Sequence, residues 1–553
     1  MKIKVWAIAI ALVVAGAACG KKDGVKKPGV IPSGPDGWVH YIPADSPLVI
    51  ANLEPVPESL VNWLAEGLAP LSAVGEKAIS DKLATTTDET ERAVLAELQG
   101  KLSRQGMADI GVSLNPRFAL YGIGLSLAMR LELADGQRFR SFIERLEKAG
   151  GKPMERATFE GVEYLRASDE EAAVIIAIRD KEVILGVMHA KASDLVLPLL
   201  LGVQRPEVSV ADTGVLPKLV DQYKLMGVST GYFDSNALVR MLTGRASTLS
   251  QGTLTASGVD LSQLATPACQ KEMDSLAAIA PRVVFDYTAI QPPRLDTIGV
   301  VELRSDIARD LAGVQTPVHG LGDTSRPHMF AFGLGLDLEK AIGWMHTKAK
   351  GVVAAPYQCP ALAELNGFMG ELDGQIAGMQ GSMPPFLAGF RGMALVLEDL
   401  QMGGFIPTGA GYVVLGVAQP MAVIEMVGAF LPQLAQVKVK ADGAPTPVTT
   451  GVPGLDPVHV TVQKSWLGAA VGKGTSEQMV AALRAEPPAQ GPFAVFAYDY
   501  GRFIQVIQAS SGAQMNADEK LLMDALGNLL GFTVASMRFE PHGLVIHQSI
   551  QGR

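Results

Sequence analysis

The strongest constraint on this chain is that it aligns with itself. Residues 48–64 (LVIANLEPVPESLVNWL) lie without a gap on residues 329–345 (MFAFGLGLDLEKAIGWM), matching Leu53 with Leu334, Glu58 with Glu339 and Trp63 with Trp344 at an offset of 281. A second pair, residues 184–194 and 466–476, aligns at 282, with Gly186 on Gly468, Lys191 on Lys473 and Ser193 on Thr475. A third pair, 228–242 and 493–507, matches Asp234 with Asp499 at 265, so the first copy carries 17 more residues between the second and third anchors. Self-similarity at one long spacing marks a repeated structural unit. The expected organisation is a first repeat over 39–306, a linker over 307–327 rich in turn residues, and a second repeat over 328–553.

Each copy repeats one local grammar of short apolar strand, polar cap and helix. Residues 173–179 and 181–187 are separated by little more than a turn, which requires antiparallel pairing because a parallel crossover needs a dozen residues or more. Strand pairs at 283–288 with 297–303, and at 533–539 with 543–550, close the two copies. Ser193 and Thr475 stand where a helix N-cap is wanted, and Thr475 to Gln478 fits a capping box. The fold class expected is α+β: two tandem copies of an antiparallel sheet, each covered on one face by helices. Within 361–381, Leu362, Leu365, Met369, Leu372, Ile376 and Met379 recur at spacings of three and four, an amphipathic helical stripe. Gly370, Gly374 and Gly378 recur on a neighbouring face. Each glycine costs a helix about 1 kcal/mol relative to alanine, which implies close approach by another backbone, or a ligand groove lined with Met369 and Met379.

The N-terminus sets the destination of the chain. Lys2 and Lys4 precede an uncharged apolar run, Val5 to Ala15, and small residues Gly16, Ala17 and Ala18 lead to Cys19. This is the pattern of a secretory signal peptide over 1–18, and its apolar run is well short of the roughly 20 residues of a membrane span. The junction resembles the lipobox of bacterial lipoproteins, in which the cysteine is acylated, with palmitate among its lipids, and becomes the mature N-terminus; Gly16 stands where that motif carries an aliphatic residue. The alternative is ordinary secretion with cleavage after Ala17. Gly20 after the cysteine, by the same resemblance, implies an outer-membrane anchor facing the periplasm. Residues 19–38, rich in Lys, Gly and Pro, read as a flexible tether.

Bulk composition narrows the chemistry. The chain is 48% apolar and 19% charged with a net charge of −9, and no basic cluster interleaves with aromatics, which removes a nucleic-acid role. With Cys19 lipidated, Cys269 and Cys359 remain in an oxidising compartment and are candidates for a disulfide across a 90-residue span, against the alternative of two buried thiols. Gly227-Val228-Ser229-Thr230-Gly231 matches the G-x-S-x-G elbow of serine hydrolases, but polar residues precede it and apolar ones follow, the reverse of strand-turn-helix. Residues 468–475 approach a phosphate-binding loop yet are one residue short of its pattern. The eight histidines are scattered without metal-ligand spacing, so no metal or cofactor is expected.

Residues 41–53 (YIPADSPLVIANL), with 119–124 (ALYGIG) and 130–139 (RLELADGQRF), are similar to a group of large bacterial envelope lipoproteins whose domains carry no assigned function. The resemblance implies location and architecture and transfers no active residues. The sequence points to a membrane-anchored, non-catalytic binding or scaffolding module with an envelope protein as partner; the alternative is a carrier of a lipid or other hydrophobic ligand, and the remote one a hydrolase using Ser229.

Overall fold

The computed structural model describes residues 37–52, 56–151, 153–379, 387, 389–401, 408–449, 456–510 and 516–553. The expected signal peptide, Cys19 and the expected tether up to residue 36 lie outside the described residues. Contacts divide the chain into two units, Met1–Gly299 with Ala517–Ala525, and Val300–Asn516 with Leu526–Arg553. The division falls inside the strand Arg294–Glu302, ahead of the expected end of the first repeat at 306.

The first unit is built on β1 (Leu48–Asn52), β2 (Phe118–Ile123), β3 (Ser126–Glu132), β4 (Glu155–Phe159), β5 (Val162–Ser168), β6 (Ala172–Arg179), β7 (Glu182–His189), β8 (Thr230–Asp234) and β9 (Arg282–Gln291), with β10 (Arg294–Glu302) beside β9. All described pairings are antiparallel, in the spatial order β9-β8-β1-β2-β3-β7-β6-β5-β4. The second unit uses β11 (Phe330–Gly335), β12 (Gly392–Gln401), β13 (Thr408–Gly416), β14 (Thr446–Val448), β15 (Val458–Gln463), β16 (Trp466–Val471), β17 (Ala494–Asp499), β18 (Phe532–Glu540) and β19 (Gly543–Gln551). Its order is β19-β18-β17-β11-β12-β13-β16-β15-β14, again antiparallel throughout. The fold class is α+β, and the two strand orders correspond, the first unit carrying β4 as an additional edge.

Strand register corrects the first self-alignment. At an offset of 281 buried Val49 would fall on half-exposed Phe330; at 282 it falls on buried Ala331, and Ala51 on buried Gly333. One residue of slip exchanges the two faces of a strand, so the strands obey 282 while the tryptophans of the following helices obey 281. The third anchor holds in detail: Asp234 and Asp499 each close a strand and accept a backbone N–H three residues on, from Ala237 at 2.8 Å and from Arg502 at 3.1 Å.

The helices used below are α1 (Gly136–Ala149), α2 (Ser193–Leu200), α3 (Ser305–Val314), α4 (Leu338–Ala354), α5 (Ala363–Met379), α6 (Pro420–Phe430) and α7 (Thr475–Arg484). The expectation of helices on one face only is overturned. In the first unit Val49, Tyr121, Ala128 and Gly186 share a pleat face, and α2 lies on it: a Cβ at Gly186 would meet Leu200 at 2.4 Å. Leu131, Val183 and Ile178 point the other way and form a core with Phe139, Phe142, Ile143 and Leu146 of α1. The second unit repeats the plan. Ala331, Val396, Tyr412 and Ala470 face Met479, Ala482 and Leu483 of α7, while Val460, Val462 and Leu467 on the reverse pack with Ile424 of α6. Gly468 is the seat of α7, since a Cβ there would lie 2.6 Å from Met479 Sδ.

Helices do begin at Ser193 and Thr475, but neither hydroxyl caps. Each is the first helical residue and donates backwards, Ser193 Oγ to Ala190 O at 2.7 Å and Thr475 Oγ1 to Gly472 O at 2.8 Å and Val471 O at 2.9 Å, so the capping box is not formed. Both residues are buried under their helix, where a hydroxyl satisfied by the preceding turn is retained more cheaply than one aimed at open N–H groups. The linker 307–327 is likewise structured. It starts within α3, and Thr316, Val318 and Leu321 run along the second sheet: Thr316 N–H donates to Gly335 O at 3.2 Å, Tyr412 Oη donates to Leu321 O at 3.0 Å, and Leu321 joins the core under α7.

Replacing Gly186 or Gly468 by alanine forces a methyl into Leu200 or Met479. Each variant should lose about 1–3 kcal/mol, read as a lowered urea midpoint; an unchanged midpoint in both would disprove the seating.

Candidate functional site

The hydrolase motif is a binding nest for a buried carboxylate of the same unit. Asp286 on β9 accepts Gly227 N–H at 3.0 Å, Ser229 N–H at 3.1 Å, Tyr287 N–H at 2.6 Å and the Thr230 hydroxyl at 2.6 Å. Burial pushes its carboxyl above the ordinary range, and those four donated bonds pull the other way. Gly227 takes a left-handed φ of +73°, which turns its N–H toward the acid. Gly231 leaves room for a ring, because a Cβ there would lie 2.2 Å from Phe285. Ser229 thus precedes a strand rather than a helix, and its backbone, not its hydroxyl, is what the motif uses. In the second unit the facing pair Gly231 and Phe285 is replaced by Phe496 and Ala535, the ring having moved to the opposite strand.

The loop at Lys473 is a self-contained turn. Gly472 and Gly474 adopt φ of +92° and +79°, and the Thr475 hydroxyl that a phosphate site would present outward is spent on the two preceding carbonyls. His542 sits in the β18–β19 turn, and His547 on β19 pairs with Ser536. Among the described residues no group of three or more His, Cys, Asp or Glu is placed to hold a metal.

On α5 the predicted stripe turns inward, with Ile376 buried and Leu362, Leu365, Met369 and Leu372 half-buried. Its glycines contradict the expectation of close approach: a Cβ at Gly370, Gly374 or Gly378 would meet nothing within 4 Å. They form an open outer face, while Met369 is half-buried on the inner side and Met379, the last residue of the helix, is 46% exposed. The inner side is held to α4, where His346 Nε2 lies 3.0 Å from Asp373 Oδ1 off the line of a hydrogen bond. Cys269 and Cys359 are both buried and both disulfide-bonded.

The feature that sequence reasoning missed is the distribution of side-chain size across each sheet. The faces under α2 and α7 carry small residues, among them Ala51, Ala119, Ala128 and Gly186 in the first unit and Ala331, Ala394, Gly468, Ala470 and Ala497 in the second. The reverse faces carry the bulk: Leu48, Ile50, Leu120, Leu127, Met129, Val187 and Phe285, and Phe330, Phe332, Leu334, Leu395, Val413 and Phe496. Away from the corners filled by α1 and α6 these stay half-open. Leu127 and its cross-strand neighbour Val187 are 42% and 52% exposed, and Leu395 and its neighbour Val413 are 38% and 40%. The signal was present in residues 330–335 (FAFGLG), where large and small alternate with the period of a strand.

Three variants separate these roles. Ser229→Ala should leave ester hydrolysis at its background rate and stability within about 0.5 kcal/mol, whereas Asp286→Asn should cost about 3 kcal/mol or more by leaving buried donors mismatched; a Ser229→Ala enzyme that loses an activity of the parent protein would restore the hydrolase. Gly370→Ala should raise stability by up to about 1 kcal/mol, since helix propensity improves and nothing is struck; a loss would mean the outer face is covered.

No protein-family model matches this chain, and no curated protein or solved structure matches it either.

Proposed function

We propose that the chain is a lipid-anchored protein of the bacterial cell envelope, attached through Cys19 to the outer membrane on its periplasmic side, that works by binding rather than by chemistry. The N-terminal segment supports the anchor: Lys2 and Lys4, a short apolar run, and small residues before a single cysteine. No described helix is long and apolar enough to cross a membrane, so in this reading attachment rests on the acyl chains.

The observation that carries the binding role is the half-open apolar sheet face of each unit. Monomeric proteins rarely leave contiguous apolar patches open without a use for them. In the scaffold reading a protein partner of the envelope covers these faces. The second reading, a carrier, is favoured by their composition: Leu, Val, Ile, Met and Phe without an interspersed charge suit acyl chains or another greasy ligand. No cofactor is part of either reading.

The test is to purify the native acylated protein in mild detergent and analyse what stays bound by mass spectrometry. The expected result is an acylated N-terminus at Cys19 and a stoichiometric apolar ligand or protein partner that is lost from Val187→Asp and Val413→Asp. A lipid decides for the carrier and a protein for the scaffold. An empty preparation, or binding that both variants retain, overturns the proposal.

A further inference from the structure

The second unit carries one apolar surface that is not a sheet face. Residues 420–437 hold a single charge, Glu425, yet α6 at their head is a surface helix. Its Val423, Ile424 and Gly428 are buried, while Met421, Ala429 and Phe430 are exposed. A helix that is apolar all round is ordinarily enclosed by protein or by lipid. Phe430 is 81% exposed, more than any other large apolar side chain among the described residues, and Leu431 beside it is 53% exposed. The chain then doubles back along the helix: a Cβ at Gly428 would lie 3.5 Å from Ala435, and Leu434 and Val439 join Ile424 in one core. Val439 is buried and Val437 half-buried, so the alternate residues Lys438 and Lys440 are exposed on the outer side of that layer. Lys464 is exposed close by, since its N–H donates to Asp442 Oδ1 at 2.8 Å and Gly443 N–H donates to Lys440 O at 3.2 Å. None of the three lysines has an ion pair among the described residues.

We propose that this corner dips into the surface of a lipid bilayer, with Phe430 and Leu431 reaching the acyl boundary and Lys438, Lys440 and Lys464 set against lipid phosphates. The proposal goes beyond the binding role and rests on the anchoring half of that reading, in which an acylated Cys19 keeps the chain at a lipid surface. Charge favours this occupant. The chain as a whole carries −9, yet here three exposed lysines stand with one aspartate, Asp442. Glu425 is five residues before Phe430, which places it about 140° away around the helix. Lysines are attracted to an anionic lipid surface, and aromatic and aliphatic side chains beside them bury at the acyl boundary. Shape favours the same occupant. A protein partner requires a broad, closely packed contact, whereas a ring projecting at a helix end needs no matched surface in a fluid bilayer. Because Val423, Ile424 and Leu434 stay in the core, insertion of the two outer side chains leaves the fold as it is.

The experiment uses the full chain from Cys19 onward, its Cys19 thiol coupled to a maleimide-bearing lipid in vesicles of phosphatidylethanolamine and phosphatidylglycerol. In Phe430→Trp, the fluorescence difference from the parent chain isolates the new indole. The expected result is solvent-like emission in buffer, and on the vesicles a blue shift with quenching by brominated acyl chains. Adding Lys438→Gln and Lys440→Gln should lower the ratio of inserted to free chain about tenfold, and raised salt should lower it too. Solvent-like, unquenched emission on the vesicles overturns the proposal, as does quenching that the lysine variants leave unchanged. A blue shift that grows with protein concentration in the absence of vesicles assigns the corner to a second copy and overturns it as well. The synthetic lipid supplies the anchor whether or not Cys19 is acylated in the cell. The mass of the native N-terminus and the retained ligand therefore test the anchor and the open faces, quenching tests this corner, and either can fail alone.

Discussion

The structure depends on how closely one helix can lie on each sheet. At Gly186 and Gly468 a strand gives up its side chain so that Leu200 of α2 and Met479 of α7 can occupy the space. A helix seated that near leaves no depth for large residues around it, which is why alanine and glycine dominate the same face. The bulk displaced from that face appears on the other one. Each sheet is consequently thin and well buried where its helix sits, and carries large residues on the reverse, where Leu127, Val187, Leu395 and Val413 stay half-open.

One difference between the two units is an exchange that keeps volume nearly constant. Facing positions on β8 and β9 hold Gly231 and Phe285, and the facing positions on β17 and β18 hold Phe496 and Ala535. One ring and one small residue fill the site in each case, contributed from opposite strands. Core positions tolerate such swaps when total volume is kept, so similarity of residues is lost here while similarity of packing is not. The nest around Asp286 has no such equivalent, since its position on the neighbouring strand corresponds to Ser536, which pairs with Val495.

This explains what was legible in the sequence. The antiparallel hairpins, the α+β class and the helix starts at Ser193 and Thr475 all follow from local patterns of short range. The one-residue slip in the first self-alignment was invisible because Trp63 and Trp344 dominate a match that the strand beside them does not share. The capping error has a similar origin: Thr475 to Gln478 fits the capping pattern, but Gly474, free to turn left-handed, became the boundary instead. Glycine misled in both directions. Gly370, Gly374 and Gly378 recur regularly and touch nothing, while Gly186 and Gly468, isolated in strands, carry the close packing. A glycine in a helix invites the inference of a contact, yet only a neighbour of known position can supply one.

The sequence also shows which surface it protects. An unpaired strand edge is a template for another chain, and one edge of each unit's sheet is blunted. β4 places exposed Glu155 and Arg156 on its edge, and β14 is three residues long with Pro447 at its middle. Nothing comparable guards the faces around Leu127, Val187, Leu395 and Val413, where a single lysine or glutamate would have made the surface indifferent to apolar neighbours. Selection against backbone pairing combined with tolerance of open apolar side chains is the pattern of a protein whose contacts run through side-chain faces rather than through added strands. In the proposed lipid-anchored reading, the 20-residue tether 19–38 keeps such faces near the lipid surface at high effective concentration, so modest affinity at each face is sufficient for occupancy.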